Sequence, residues 1–285
     1  MAVVLDPNAG PCSGVKRALR LIEEQLTLEK NVIALGQVIH NQAEIERLES
    51  MGLESIDQNS VENGNLGRLK DKKVFVRSHG ISKKLYQKLI DAGSQICDGT
   101  CPTVAAVQKK IARFYQNGYQ IFIVGKAMHP EVLGLCGACE DQAILIQSID
   151  DIESVEFNDK ALLVAQTTLA YDKFLAIKEK ILQIAPHVIV KDTICRQVSN
   201  RHENMRNFAA GVDVVLLVGG KNSSNTRVLF DIAKQSNPHT FWIERQEEIK
   251  STWLDAHSIG ITGSASTPLW QLQRVKAYVE RITNH

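Results

Sequence analysis

The 285-residue sequence lacks most of the features that would place it in a specialised class. No apolar run approaches the roughly eighteen residues that a membrane-spanning helix needs. The opening MAVVLDPNAG has neither the basic stretch nor the long apolar core of a secretory leader, so a cytoplasmic chain with no membrane partner is expected. Charge of one sign is not in excess: 33 basic against 32 acidic side chains give a net charge of +1, which excludes a global positive field for nucleic acid. Neither a P-loop nor a GxGxxG fingerprint occurs, which argues against an ordinary nucleotide site. Six cysteines, Cys12, Cys97, Cys101, Cys136, Cys139 and Cys195, are too few and too irregular for a disulfide framework in a chain this long. What remains is an average globular composition whose thiols suit metal binding or catalysis better than cross-linking.

Against that background a threefold internal repeat stands out. Cys12, Cys101 and Cys195 are 89 and 94 residues apart and divide the chain into near-equal parts. Apolar residues at helical spacing follow the first two, Val15, Ala18, Leu19, Ile22 and Leu26, then Val104, Val107, Ile111, Phe114 and Tyr115; the stretch from Arg196 to Ala210 is a less regular helix. Short apolar runs then predict buried strands at VIAL from Val32, IFIV from Ile121 and VVLLV from Val214, each followed by glycine and a polar loop. Counting 28 residues from each cysteine lands on His40, His129 and Ser223. Further strands end in VFVRSHG, LLVAQTT and IGITGSAS, and the N-terminal AVVLDPNAGPC supplies the last strand of the third copy. Strands alternating with helices imply parallel sheets, whose ligands bind beyond the strands' carboxyl ends. The expected fold is therefore α/β, with three small parallel-sheet units in a pseudo-threefold arrangement around a central cavity. Their boundaries are 13–100, 101–194 and 195–285, the last completed by strand 1–12.

Three thiolates at helix starts, favoured there by backbone N–H groups and the helix dipole, suit an iron–sulfur cluster. Three cysteines on a cubane leave one iron open to a substrate oxygen. Three buried structural cysteines, or zinc held by three cysteines and a histidine, are the alternatives, although structural zinc sites bring their ligands in close CxxC pairs. Cys136 and Cys139 do form one such pair, without a second, and read as structural; Cys97 reads as a core residue. His40, His79, His129, Thr167, Ser223, Ser224, Asn225 and Ser266 form a constellation of donors suited to a small phosphorylated ligand. Glu131 follows His129 at a helix start, where it is either a proton donor or a plain N-terminal acid. His187, His202, His239, His257 and His285 have no repeat counterpart and receive no role.

The segments PCSGVKRAL, VIHN, RSHGIS, DGTCP, MHPEV, AQTTL, DTIC, GGKNSSN and GSASTP together resemble the 4-hydroxy-3-methylbut-2-enyl diphosphate reductases, the iron–sulfur enzymes that end the non-mevalonate isoprenoid pathway, nearly end to end. The resemblance implies that Cys12, Cys101 and Cys195 bind a [4Fe–4S] cluster whose open apical iron takes the substrate's hydroxyl oxygen. It implies that His40, His79, His129, Ser223, Asn225 and Ser266, with Ser224 and Thr167, bind the allylic diphosphate. Glu131, Thr167 and His129 would form the catalytic set, with Glu131 supplying protons and Thr167 orienting both the hydroxyl and that carboxyl group. Electrons would come from a separate protein such as ferredoxin or flavodoxin, and the products would be isopentenyl and dimethylallyl diphosphate. A reductive dehydroxylase of another allylic diphosphate is the rival enzyme, and a non-catalytic cluster-binding sensor the rival outside enzymes; a sensor needs neither Glu131 nor Thr167.

Overall fold

Residues 1–29 and 31–283 are described by a computed structural model of the chain; His285 lies outside the described residues. From the N-terminus come β1 (Ala2–Leu5), α1 (Ser13–Leu28), β2 (Val32–Leu35), α2 (Gln42–Ser50), β3 (Leu53–Ile56), α3 (Gln58–Glu62), β4 (Lys73–Val76), α4 (Lys83–Asp91) and β5 (Gln95–Asp98). Next are α5 (Pro102–Gln116), β6 (Gln120–Val124), α6 (Pro130–Cys136), β7 (Ile144–Ile146), β8 (Ala161–Ala165), α7 (Tyr171–Ile184) and β9 (Ile189–Val190). The last part holds α8 (Arg196–Ala210), β10 (Val214–Val218), α9 (Ser224–Ser236), β11 (Thr240–Ile243), β12 (Ser258–Gly263) and α10 (Leu269–Thr283).

The strands form three four-stranded sheets in the orders β3-β2-β4-β5, β7-β6-β8-β9 and β11-β10-β12-β1. The order is the same three times: the second strand of a set, the first, the third and the fourth, and β1 occupies the fourth place of the last sheet. It pairs in parallel with β12, Ala2 opposite Ser258 and Leu5 opposite Ile261. The pairs β2–β4, β4–β5, β6–β7, β6–β8, β8–β9, β10–β11 and β10–β12 are parallel as well, so the protein is α/β as expected.

Why apolar runs rather than alternating sequences make these strands is visible in their packing. In β6, Phe122 and Val124 face Phe174, Ile177 and Ile181 of α7, while Ile121 and Ile123 face Val107 and Ile111 of α5 and Val132 and Leu135 of α6. In β10, Val214, Leu216 and Val218 join Leu272, Val275 and Val279 of α10, while Val215 and Leu217 join Met205 and Ala209 of α8 and Leu229 of α9. Successive side chains point to opposite faces, and a helix covers each face, so both must be apolar. The less regular α8 buries a sparse apolar stripe, Val198, Met205 and Ala209, at helical spacing.

The chain forms two compact units. One comprises residues 1–23, 37–53 and 200–285 and carries the β11-β10-β12-β1 sheet; the other comprises 24–36 and 54–199 and carries the remaining two sheets. No helix of the described residues is long and apolar enough to cross a membrane.

Candidate active site

Each repeat cysteine stands at the entrance of a helix. The carbonyl of Cys12 accepts from the N–H of Lys16 at 2.8 Å, that of Cys101 from Ala105 at 2.9 Å, and that of Cys195 from Ser199 at 3.1 Å. These are the opening turns of α1, α5 and α8, so the three thiols occupy equivalent places beside the first-turn backbone N–H groups of a helix. All three are free and half-buried. Cys139 differs: it is fully buried, its thiol donates to the Cys136 carbonyl at 3.2 Å, and burial pushes its pKa up to about 12. Cys12 belongs to the first unit, Cys101 and Cys195 to the second. Among the described residues no three His, Cys, Asp or Glu side chains crowd about a point as ligands of a single ion do. A cubane spreads its thiolates over separate irons and does not require that crowding.

The second unit assembles the carboxyl site. His129 caps α6, and its Nδ1 accepts from the backbone N–H of Glu131 at 3.2 Å, which leaves Nε2 to carry the ring proton and act as a donor. The ring meets that of His79 edge-on, with centroids 5.2 Å apart and planes at 86°. Glu131, 1% exposed, is gripped twice by Thr167: the backbone N–H donates to Oε1 at 2.6 Å and the hydroxyl to Oε2 at 2.9 Å. Burial raises the pKa of this carboxyl above the ordinary value, and the two Thr167 bonds pull against that rise without cancelling it.

Two loops tie this dyad to the cysteines. The Cys195 N–H donates to the Thr167 carbonyl at 2.8 Å, and the Cys101 N–H to the Ser78 carbonyl at 3.0 Å, one residue before His79. Thr193 braces the same corner: its hydroxyl donates to the Ala165 carbonyl at 2.6 Å and accepts from the Ala165 N–H at 2.8 Å. Buried Gln166 joins the loops after β6 and β8, accepting from the Lys126 N–H at 3.2 Å and donating to the Thr168 hydroxyl at 3.0 Å.

The first unit assembles a different set. Ser223 caps α9, its hydroxyl accepting from the Thr226 N–H at 3.2 Å and lying 3.3 Å from the Ser266 hydroxyl. Ser266 is 2.9 Å from Ser264, which accepts from the Thr226 hydroxyl at 2.8 Å, and all four side chains are buried. Ser224 is the first residue of α9. Next to it Asn225 keeps a buried Nδ2 that meets no acceptor among the described residues. A buried amide N–H is costly to leave unpaired, so this donor fits an anion. Gly220, in the same loop, lies against His40: a methyl group there would stand 2.5 Å from the His40 carbonyl oxygen, so only glycine permits the approach.

Sequence reasoning missed the scaffold behind His40. Asn41 caps α2 by accepting from the Glu44 N–H at 3.1 Å and donates to Gln271 Oε1 at 2.8 Å; Gln271 in turn donates to the Glu244 carbonyl at 2.6 Å. Glu44, 1% exposed, receives Trp270 Nε1 at 2.7 Å and Arg47 Nε at 3.0 Å. The Asn-x-x-Glu spacing just ahead of an apolar helix is a readable capping signal; the partners 226 to 230 residues away are not. A cavity of about 540 Å³ in this unit, bordered by Arg47, Arg245, Trp270 and Arg274, contains none of the predicted site residues and is not the candidate site.

Comparison with known proteins places the chain among relatives of one family. The family model described as LytB protein matches residues 3–280. A 4-hydroxy-3-methylbut-2-enyl diphosphate reductase of Caldanaerobacter subterraneus subsp. tengcongensis is 39% identical over 278 residues, covering 96% of this chain and 95% of that protein. Its counterpart from Chloroherpeton thalassium is 35% identical over 308 residues, covering 98% and 96%. A solved structure of (E)-4-hydroxy-3-methyl-but-2-enyl diphosphate reductase, described as the terminal enzyme of the non-mevalonate pathway, superposes with a TM-score of 0.78 at 35% identity, covering 99% of this chain and 100% of that one. The Plasmodium falciparum reductase shares the fold, with a TM-score of 0.84 at 24% identity over 99% of this chain and 88% of its own. The chain is an oxidoreductase and belongs to the LytB protein family.

Proposed function

We propose that this chain reduces (E)-4-hydroxy-3-methylbut-2-enyl diphosphate to isopentenyl and dimethylallyl diphosphate, the last step of the non-mevalonate isoprenoid pathway. Two electrons and two protons enter, the allylic C–O bond breaks, a C–H bond forms and water leaves. One linkage carries the reading: Cys195, Thr167 and Glu131 are joined in series, Cys195 N–H to the Thr167 carbonyl and Thr167 to both carboxyl oxygens. A candidate cluster ligand, a hydroxyl that can orient a substrate hydroxyl and a proton source thus share one rigid corner.

Cys12, Cys101 and Cys195 are the proposed ligands of a [4Fe–4S] cluster. When bound, that group supplies electrons and a Lewis-acidic open iron. The donor set fits it: three free, half-buried thiols, each at the start of a helix. Glu131 holds the proton. Its raised pKa keeps the carboxyl neutral further up the pH scale than an exposed glutamate, and with the proton on Oε2 the contact to Thr167 reverses, freeing the Thr167 hydroxyl proton for the departing oxygen. His129, with its proton on Nε2, joins His40, His79, Thr167, Ser223, Ser224, Asn225 and Ser266 in holding the diphosphate and keeping it in register. The pseudo-threefold arrangement around a cavity and the boundaries 13–100, 101–194 and 195–285 with 1–12 remain part of this proposal, as do a ferredoxin or flavodoxin as electron donor and a cytoplasmic setting, where cysteines outside disulfides would stay reduced.

Anaerobic reconstitution with iron and sulfide, followed by reduction in the presence of the hydroxymethylbutenyl diphosphate, tests the reading. Release of both isopentenyl and dimethylallyl diphosphate is expected. A reconstituted protein that turns over other allylic diphosphates but not this one would contradict it.

A further inference from the structure

Arg201 lies on α8, and its guanidinium reaches the segment that leads into Cys12. Nη2 donates to the Gly10 carbonyl at 2.7 Å, fixing a glycine held at φ +98° two residues before the cysteine. Nη1 is enclosed and meets no acceptor among the described residues. The nearby carboxylate does not claim it: Asp6 accepts from the Asn8 N–H at 2.8 Å and the Thr262 hydroxyl at 2.6 Å. Burial pushes the guanidinium pKa down, while the Cys12 sulfur and Asp6 act in the opposite direction, which puts the cation within electrostatic reach of that thiol. A clamp on one carbonyl needs one N–H. The fork geometry of arginine supplies a second, and a buried cationic donor kept without an acceptor signals a missing anionic partner.

We propose that Arg201 is a positioning residue for the iron–sulfur cluster: it pins the Cys12 loop through Gly10 and offers Nη1–H to the anionic sulfur at the Cys12 corner, raising the cluster's reduction potential and retarding its loss. This rests on the reading that Cys12 is a cluster ligand. Hydrogen bonds to cluster sulfurs and nearby positive charge favour the reduced, more negative form, so removing them lowers the potential.

The test compares reconstituted wild type with Arg201→Gln and Arg201→Lys by redox titration followed by electron paramagnetic resonance, and by the rate of iron release to a chelator. Arg201→Gln is expected to weaken the preference for the reduced cluster about tenfold, about 59 mV for one electron, and to release iron about 10-fold faster. Arg201→Lys keeps the charge but has one nitrogen for two tasks, and should shift both quantities the same way by less. Wild-type potential and iron release in a folded Arg201→Gln protein, or in Arg201→Lys where the glutamine variant does not fold, would overturn the proposal. Failure of the underlying reading looks different: Cys12→Ser would then keep a full cluster.

Discussion

The hydroxyl cluster of the first unit and the carboxyl site of the second are both buried and hydrogen-bonded, yet they differ in what they can give away. Ser223, Ser264, Ser266 and Thr226 share hydrogen bonds among neutral groups, and Asn225 adds a spare amide donor; none of these changes charge near neutral pH. Glu131 is a single ionisable group whose environment favours its proton. The first arrangement can hold an anion and nothing more, whereas the second can deliver a proton. Binding and turnover should therefore separate on mutation.

The largest effect is expected at Glu131. Glu131→Gln keeps an amide oxygen as acceptor for the Thr167 N–H and turns its NH2 toward the Thr167 hydroxyl oxygen, but has no acidic proton to give, so kcat should fall by about 10²–10⁴-fold with KM little changed, measured by steady-state kinetics with a low-potential reductant. Asn225→Ala should do the reverse: kcat within a few-fold of wild type, and kcat/KM lower by about 10- to 100-fold through KM, the cost of one hydrogen bond to a charged group. A matching loss of kcat in Asn225→Ala would erase the distinction between the units. Asn41→Ala removes the cap of α2 and leaves Gln271 Oε1 without its donor, and should cost about 1–2 kcal/mol in denaturant unfolding, with a smaller rise in KM as His40 loses its support.

The smallest expected effect concerns pH and stability. Because the folded pKa of Glu131 is raised, the carboxyl is protonated in both states at low pH, and the unfolded chain ionises first as pH rises. Its contribution is fully present below the unfolded pKa and is lost as pH rises through the folded one. Glu131→Gln should therefore unfold like wild type in acid and be relatively more resistant near neutrality, read from denaturation midpoints across pH.

How much of this was legible in the sequence depended on sequence distance. Buried strands announced themselves as apolar runs because both faces of each sheet are covered, and AVVL at the N-terminus was readable as the closing strand because two other copies of it precede Cys101 and Cys195. The Thr167–Glu131 contact was reachable through family resemblance, since spacing alone left Glu131 between a proton donor and a helix-terminal acid. What stayed hidden were pairings such as Asp6 with Thr262, 256 residues apart, and Arg201 with Gly10, 191 apart. No period or turn signal encodes a single long-range hydrogen bond; only the folded chain brings those groups together. Contacts gather the chain into two units, and residues 13–23 and 37–53 of the first repeat fall in the unit that carries the third sheet, a grouping that no sequence period encodes.

The central claim, that Cys12, Cys101 and Cys195 hold the cluster while the other three cysteines do not, is tested most directly by iron and sulfide analysis of six single Cys→Ser variants after anaerobic reconstitution. Loss of bound iron confined to those three variants, with Cys97, Cys136 and Cys139 variants matching wild type, is the predicted result. Full iron content in any of the three, or its loss in Cys136→Ser or Cys139→Ser, would contradict it.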